Sequence, residues 1–303
     1  MKISIVIPVH NEEKNIPYVY TELKEILKEL SKNKKFSYEI IFVNDGSTDT
    51  SLEVLKNLKR EDKGLRILNM DKNRGQAAAL TAGFFYARGN FIITMDGDGQ
   101  NDPRYIPIIL SKLKEGYKVV TGFRQQRKEP FLTRVLPSKI ANKIIALFTG
   151  LKVRDNGCSL KGYRRGVPQK WQIPQGFHRF IPALFGVKND EVFEIPIIDR
   201  PRLHGKTHYS LKRTFEVLRD LLTIPFILKD PVKYERIWKG VFELSLFILS
   251  GLFFFFLLDF SLSFLIIDLF LGLFSLLSYV IWQNLQRFNL AQVEGVFKVE
   301  EIL

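Results

Sequence analysis

Two apolar runs in the C-terminal third limit what this chain can become. Val241 to Leu258 is apolar apart from Glu243 and two serines, and Phe260 to Trp282 apart from Asp268 and a few serines. Each is long enough to cross a hydrocarbon core of about 30 Å as a helix. Only Asp259 lies between them, so a tight membrane hairpin is expected in place of a pair of buried core helices. Lys229, Lys233, Arg236 and Lys239 precede the first run, Arg287 and Lys298 follow the second, and the turn carries no Lys or Arg. The positive-inside rule then predicts an integral protein of the cytoplasmic (inner) membrane with its N-terminal domain and its tail in the cytosol. Gly251 and Gly272 permit close helix approach, and Asp268 is assigned to helix pairing or an oligomer contact, so a homo-oligomer is carried as an expectation.

Ahead of the hairpin, strand and helix signals alternate. Strands are read at Ile3–Ile7, Tyr38–Val43, Leu65–Leu68, Phe91–Met95, Val119–Thr121, near Ser159–Tyr163 and at Val192–Ile198. Helices fall at Pro17–Leu30, Ser51–Lys59, Gln76–Ala87, Tyr105–Leu113, Leu132–Phe148, around His178–Phe185 and at Leu211–Leu228. Such alternation means right-handed crossovers and a mostly parallel α/β sheet. The expected organisation is a catalytic domain over 1–209, a juxtamembrane amphipathic region over 210–238, two membrane helices within 239–284 and a tail over 285–303. The net charge of +13 comes without a nucleic-acid recognition motif, so membrane surface and phosphorylated substrates explain it better than nucleic acid. Cys158 is alone, which excludes an internal disulfide framework. Ile3 to Val9 is too short for a signal peptide and reads as a strand.

Polar clusters follow the first four strands directly. They are Pro8-Val9-His10-Asn11-Glu12, Asn44-Asp45-Gly46-Ser47-Thr48-Asp49, Asp71-Lys72-Asn73-Arg74-Gly75 and Asp96-Gly97-Asp98-Gly99-Gln100. A parallel order brings all four to one sheet edge, where ligands bind in open α/β sheets. Each alone has a bland reading, since Asp, Asn, Ser and Gly are ordinary turn and cap residues. Asp-x-Asp can also give oxygen ligands to a hard divalent cation whose shell is completed by substrate phosphates. An EF-hand is excluded, because the loop glycine is Asn101 and the closing Glu is Pro107. There is no Walker A sequence and no Gly-x-Gly-x-x-Gly, so phosphates are expected on a metal and not in a glycine cradle. The four histidines lack metal-ligand spacing.

Residues 7–13 (Ile-Pro-Val-His-Asn-Glu-Glu), 43–49 (Val-Asn-Asp-Gly-Ser-Thr-Asp), 73–79 (Asn-Arg-Gly-Gln-Ala-Ala-Ala) and 96–100 (Asp-Gly-Asp-Gly-Gln) resemble the successive motifs of inverting family-2 glycosyltransferases with the GT-A fold. Residues 122–124 (Gly-Phe-Arg), 155–163 (Asp-Asn-Gly-Cys-Ser-Leu-Lys-Gly-Tyr) and Arg202-x-x-Gly205-Lys206-Thr207-His208-Tyr209 resemble the dolichol-phosphate mannose synthase branch and its undecaprenyl-phosphate relatives. One departure is His208, where that branch often has Lys. The resemblance implies a GT-A (Rossmann-like) catalytic domain followed by the membrane hairpin. It implies a UDP- or GDP-linked sugar donor, with Pro8, Glu12 and Asp45 lining base and ribose, and Asn11 and Gly75 in the same pocket. Asp96, Asp98 and Gln100 would engage the diphosphate through Mg²⁺ or Mn²⁺. The acceptor would be undecaprenyl or dolichyl phosphate, met by Arg124, Arg134, Arg202 and Lys206, with Arg127 and Lys139 as weaker candidates.

Two other functions compete. A processive polysaccharide synthase of the same fold resembles proteins with Gln-x-x-Arg-Trp and more membrane spans, whereas here Gln175 to Arg179 is off by one and Phe180 replaces Trp. A non-catalytic membrane scaffold with a nucleotide-binding fold is opposed by the intact Asp45, Asp96, Asp98 and Gln100.

Overall fold

In the computed structural model, which describes residues 1–32, 36–125, 136–168, 171–202, 211–259 and 262–303, the first strand lies at the middle of the sheet. Strand β1 (Lys2–Val9) pairs in parallel with β2 (Ser37–Asn44) on one side and with β4 (Phe91–Thr94) on the other. Strand β3 (Leu65–Met70) extends the first side in parallel. On the second side come β6 (Lys161–Arg164), antiparallel to β4, then β5 (Val119–Arg124) and β7 (Val192–Ile197). The order is β7-β5-β6-β4-β1-β2-β3-β8, where β8 (Val299–Ile302) is a strand that periodicity did not predict. Its pairing with β3 is antiparallel.

Continuous apolar runs make these strands because helices cover both faces. Ile5, Val6 and Ile7 have no exposed surface, nor do Ile41, Phe42 and Val43. Helix α1 (Ile16–Ser31) places Ile16, Val19, Leu23 and Leu27 on one buried stripe at helical spacing. Helix α2 (Ser51–Glu61) buries Leu55, and α4 (Ile106–Glu115) buries Ile106, Ile109, Leu110 and Leu113. Helix α3 (Gln76–Tyr86) is built from Ala77, Ala78, Ala79, Ala82 and Gly83 and lies close on β1. A Cβ on Gly83 would sit 2.2 Å from Val6 Cγ1, so this contact requires glycine. Helix α5 is described over Leu136–Thr149, and the expected start at Leu132 lies outside the described residues. The helix expected around His178–Phe185 is a tight turn, Phe177–Phe180, followed by the short α6 (Ile181–Leu184).

The chain forms two compact units, Met1–Tyr209 with Gly295–Leu303, and Ser210–Glu294. The second contains α7 (Leu211–Lys229), α8 (Pro231–Asp259) and α9 (Leu262–Glu294). Helices α8 and α9 are long and apolar enough to cross a membrane and pack on one another through a Ser245–Ser275 hydrogen bond of 2.8 Å and stacked Phe242 and Trp282 rings. Their large side chains point outward: Phe247 is 77 % exposed and Phe270 69 %. That much exposed apolar surface suits lipid. Asp268 stands two turns from the start of α9 and not at its centre. Since β8 belongs to the first unit, the chain enters and leaves the hairpin from the same unit.

Candidate active site

The sheet order places the site. Strands β2 and β3 lie on one side of β1 and β4 on the other, so the loops after β1 and β4 open at the point where the order reverses. Pro8, Asn11 and Glu12 therefore adjoin Asp96 and Asp98, as parallel pairing of β1 with β4 requires. The Asp-x-Asp turn crosses the end of β1 so closely that a Cβ on Gly97 would meet Val9 Cγ1 at 2.5 Å.

On the side of β2 and β3, the loops are tied by side chains. Asn11 takes a left-handed backbone (φ 57°), and its Oδ1 accepts from Thr48 N–H at 2.8 Å. The Glu12 N–H donates to Ser51 Oγ at 2.9 Å. Asp45 is buried, and its two carboxylate oxygens accept from the backbone N–H groups of Arg74 (2.7 Å) and Gly75 (2.8 Å). These fix the start of α3, whose Gln76 Nε2 donates to Asp96 Oδ1 at 2.8 Å. Burial pushes the Asp45 carboxyl up, against the opposing pull of those two N–H bonds. Burial likewise raises Glu12; its Asn15 hydrogen bond lowers it, and beyond that Arg202 lowers and Asp98 raises it.

Asn101 organises the Asp-x-Asp turn itself. Its Oδ1 accepts from Asp96 N–H and from Ser159 Oγ, each at 2.8 Å. Asp98 Oδ1 accepts from Gln100 N–H at 3.0 Å, and Asp98 Oδ2 pairs with Arg202 Nη2 at 2.8 Å. Gln100 Nε2 donates to the Arg200 carbonyl at 3.4 Å, while its own carbonyl accepts from Arg200 N–H at 2.9 Å, which clips the loop after β7 onto the Asp-x-Asp turn. Burial first, then the Asp98 carboxylate, pushes Asp96 up to about 6. Asp199, on the same loop, is raised by burial, and its Oδ1 is buried with no hydrogen-bond partner among the described residues.

Arg124 at the end of β5 makes a two-pronged pair with buried Asp155 (2.7 and 2.9 Å) and lies 3.8 Å from Asp199. It is thereby committed to holding the loop that leads into β6 as well as carrying charge. Arg134 and Lys206, with Arg127 and His208, lie outside the described residues, as does the side chain of Lys139. Cys158 is buried with its thiol pushed up to about 12, which makes it inert. Sequence reading missed Asn101, Asp155 as the Arg124 partner, and Asp199; only their place in or beside polar strand-end loops pointed to them.

No three His, Cys, Asp or Glu side chains converge as a ready-made metal cage among the described residues. Asp96 and Asp98 nevertheless fit a cation that takes one or two carboxylates and completes its shell with substrate phosphate. Burial and the neighbouring Asp98 carboxylate, which together raise Asp96, are what such a charge offsets, and Asp199 Oδ1, buried with no hydrogen-bond partner among the described residues, lies in the same neighbourhood.

The glycosyl transferase family 2 model matches residues 4–171, and the chain belongs to that family. It is a glycosyltransferase. Among its relatives, the dodecaprenyl-phosphate galacturonate synthase of Rhizobium johnstonii is 38 % identical over 76 % of this chain and 68 % of its own. The undecaprenyl-phosphate 4-deoxy-4-formamido-L-arabinose transferase of Salmonella choleraesuis is 34 % identical over 83 % of this chain and 75 % of its own. Among solved structures, glucosyl-3-phosphoglycerate synthase of Mycobacterium tuberculosis, in complex with Mn²⁺, UDP and glucosyl-3-phosphoglycerate, superposes with a TM-score of 0.57 at 17 % identity, covering 74 % of this chain and 78 % of that one. The fold is GT-A.

Proposed function

We propose that this protein transfers a sugar, with inversion, from a nucleoside diphosphate sugar to the phosphate of a polyprenyl phosphate at the cytosolic face of the cytoplasmic membrane. The observation that carries the reading is a strand-end carboxylate site in a chain that also holds a membrane-length hairpin. Both relatives named above act, by name, on polyprenyl phosphates, and the acceptor is carried over from them.

Asp45, with Pro8, Asn11, Glu12 and Gly75 around it, forms the base and ribose end of the donor pocket, for a UDP- or GDP-linked sugar. Asp96 and Asp98, with Gln100 on the same turn, would hold Mg²⁺ or Mn²⁺, which when bound would supply charge for the departing diphosphate. A lipid phosphate monoester has its second pKa at about 6, so it attacks largely as a dianion and needs no strong general base. It needs cations, and Arg202, Arg134 and Lys206 are assigned to it, with Arg124 positioning the loop beside them. The Arg202 pair with Asp98 lets one guanidinium sense both the donor turn and the acceptor phosphate.

Purified protein mixed with membrane lipid extract, Mn²⁺ and a panel of labelled UDP- and GDP-sugars is expected to give one labelled lipid. A soluble labelled polymer would point to the processive synthase, and nucleotide binding without turnover to the scaffold.

A further inference from the structure

We propose that the segment Gly295–Leu303, which follows the second membrane-length helix, is a positioning element for the nucleotide loop Asp71–Gly75, so that the donor site is completed by chain that has already passed through the hairpin. The inference rests on the reading of that loop as part of the donor pocket.

Strand β8 closes the free edge of β3 through Ile67 and Leu303, which exchange both backbone hydrogen bonds at 3.0 Å. Leu68 faces Ile302 and Asn69 faces Glu301, but the register shifts between Asn69 and Met70, where β3 gives way to the loop. The bond beyond that shift does not belong to the strand: Asp71 N–H donates to the Lys298 carbonyl at 3.2 Å and so fixes the first residue of the loop. From there the grip runs inward. Asp71 holds the Arg74 guanidinium by two hydrogen bonds of 2.8 Å, and the backbone N–H groups of Arg74 and Gly75 end on the Asp45 carboxylate. The segment is anchored before the strand as well. Phe297 packs on Phe85 and Tyr86 near the end of α3, with ring centres 5.8 and 6.4 Å away, and Val296 N–H donates to Gln172 Oε1 at 3.4 Å.

A plain alternative is that β8 only covers an edge strand, since exposed edges invite aggregation. The two roles separate in what they change. An edge cover alters stability and solubility; a positioning element alters affinity for the nucleotide.

The test uses the full chain beside a form ending at Gly295 and a Phe297→Ala variant. Binding of UDP and of GDP with Mn²⁺ is measured by calorimetry, the donor and acceptor KM by transfer, and backbone amide exchange at Asp71, Arg74 and Gly75. Loss of a loop-anchoring hydrogen bond is expected to weaken nucleotide binding and raise the donor KM about tenfold, with the acceptor KM unchanged. A synthetic peptide of residues 295–303 added to the shortened form is expected to restore both. If the shortened form does not fold, faster exchange at Arg74 and Gly75 in Phe297→Ala carries the same prediction. A fall in melting temperature with nucleotide affinity, donor KM and amide exchange all at the parent values overturns it. An intact protein that binds no nucleotide contradicts the donor reading itself, and amide exchange then still decides whether the tail grips the loop.

Discussion

The proposed donor and acceptor sides of the site are built differently. On the proposed donor side, Asp45, Glu12 and Asp96 follow β2, β1 and β4, and bonds that each use a backbone N–H fix them: the Asp45 carboxylate accepts from two, the Glu12 N–H donates to Ser51 Oγ, and the Asp96 N–H donates to Asn101 Oδ1. On the acceptor side, the described cations are engaged by carboxylates from distant parts of the chain, Arg124 by Asp155 and Arg202 by Asp98. The proposed nucleotide pocket is thus set by the sheet edge, while the cations proposed for the lipid phosphate are set by loop-to-loop ion pairs. Changes on the two sides should therefore fail in different ways.

The largest effect is expected from Asp98→Ala. It removes both a proposed cation ligand and the Arg202 partner, and transfer should fall on the order of 10²- to 10³-fold in kcat/KM. Arg124→Ala should act on folding more than on chemistry. It removes the two-pronged guanidinium partner of Asp155, which is 2 % exposed, and should cost about 3 kcal/mol, read as a lower midpoint in thermal unfolding, with replacement of both residues by apolar ones costing less. Asp45→Ala leaves two backbone donors unsatisfied and should cost about 2 kcal/mol while raising the donor KM, with the acceptor KM unmoved. If Asp45→Ala and Arg124→Ala raised both KM values alike, the separation of the two sides would be lost.

A pH effect follows from Asp96. Its carboxyl is pushed up to about 6, so it must lose its proton there before it can hold a cation. Mn²⁺ affinity should be full above that pH and fall about tenfold per unit below it, a slope that Asp96→Asn should abolish along with most of the affinity. In the metal-free protein the same raised value means that this group favours folding at low pH and loses that contribution as pH rises through about 6. The smallest effect belongs to the hairpin: Ser245→Ala, which removes the bond to Ser275, should change stability by about 1 kcal/mol or less and leave both KM values alone.

The donor side was legible in the sequence because its residues follow unbroken apolar runs such as Ile40-Ile41-Phe42-Val43, and a buried parallel strand both announces itself and aims its own C-terminal loop. The acceptor side was less legible, since no local pattern pairs Arg124 with Asp155 thirty-one residues later. Asn101 was read only as a misplaced loop residue, although its amide holds the Asp-x-Asp turn. Strand β8 was invisible for another reason. Val299-Glu300-Glu301-Ile302 has two adjacent acidic residues and no alternation, and only the open edge of β3 makes it a strand.

The most direct test is to present the full-chain protein, in vesicles with Mn²⁺ and a saturating accepted donor, with polyprenyl phosphate or with the matching polyprenol. If the nucleophile is the phosphate held by cations, a single sugar should be transferred to polyprenyl phosphate with inverted anomeric configuration and none to polyprenol. Equal transfer to the polyprenol, or growth of a chain of sugars on either lipid, would contradict it.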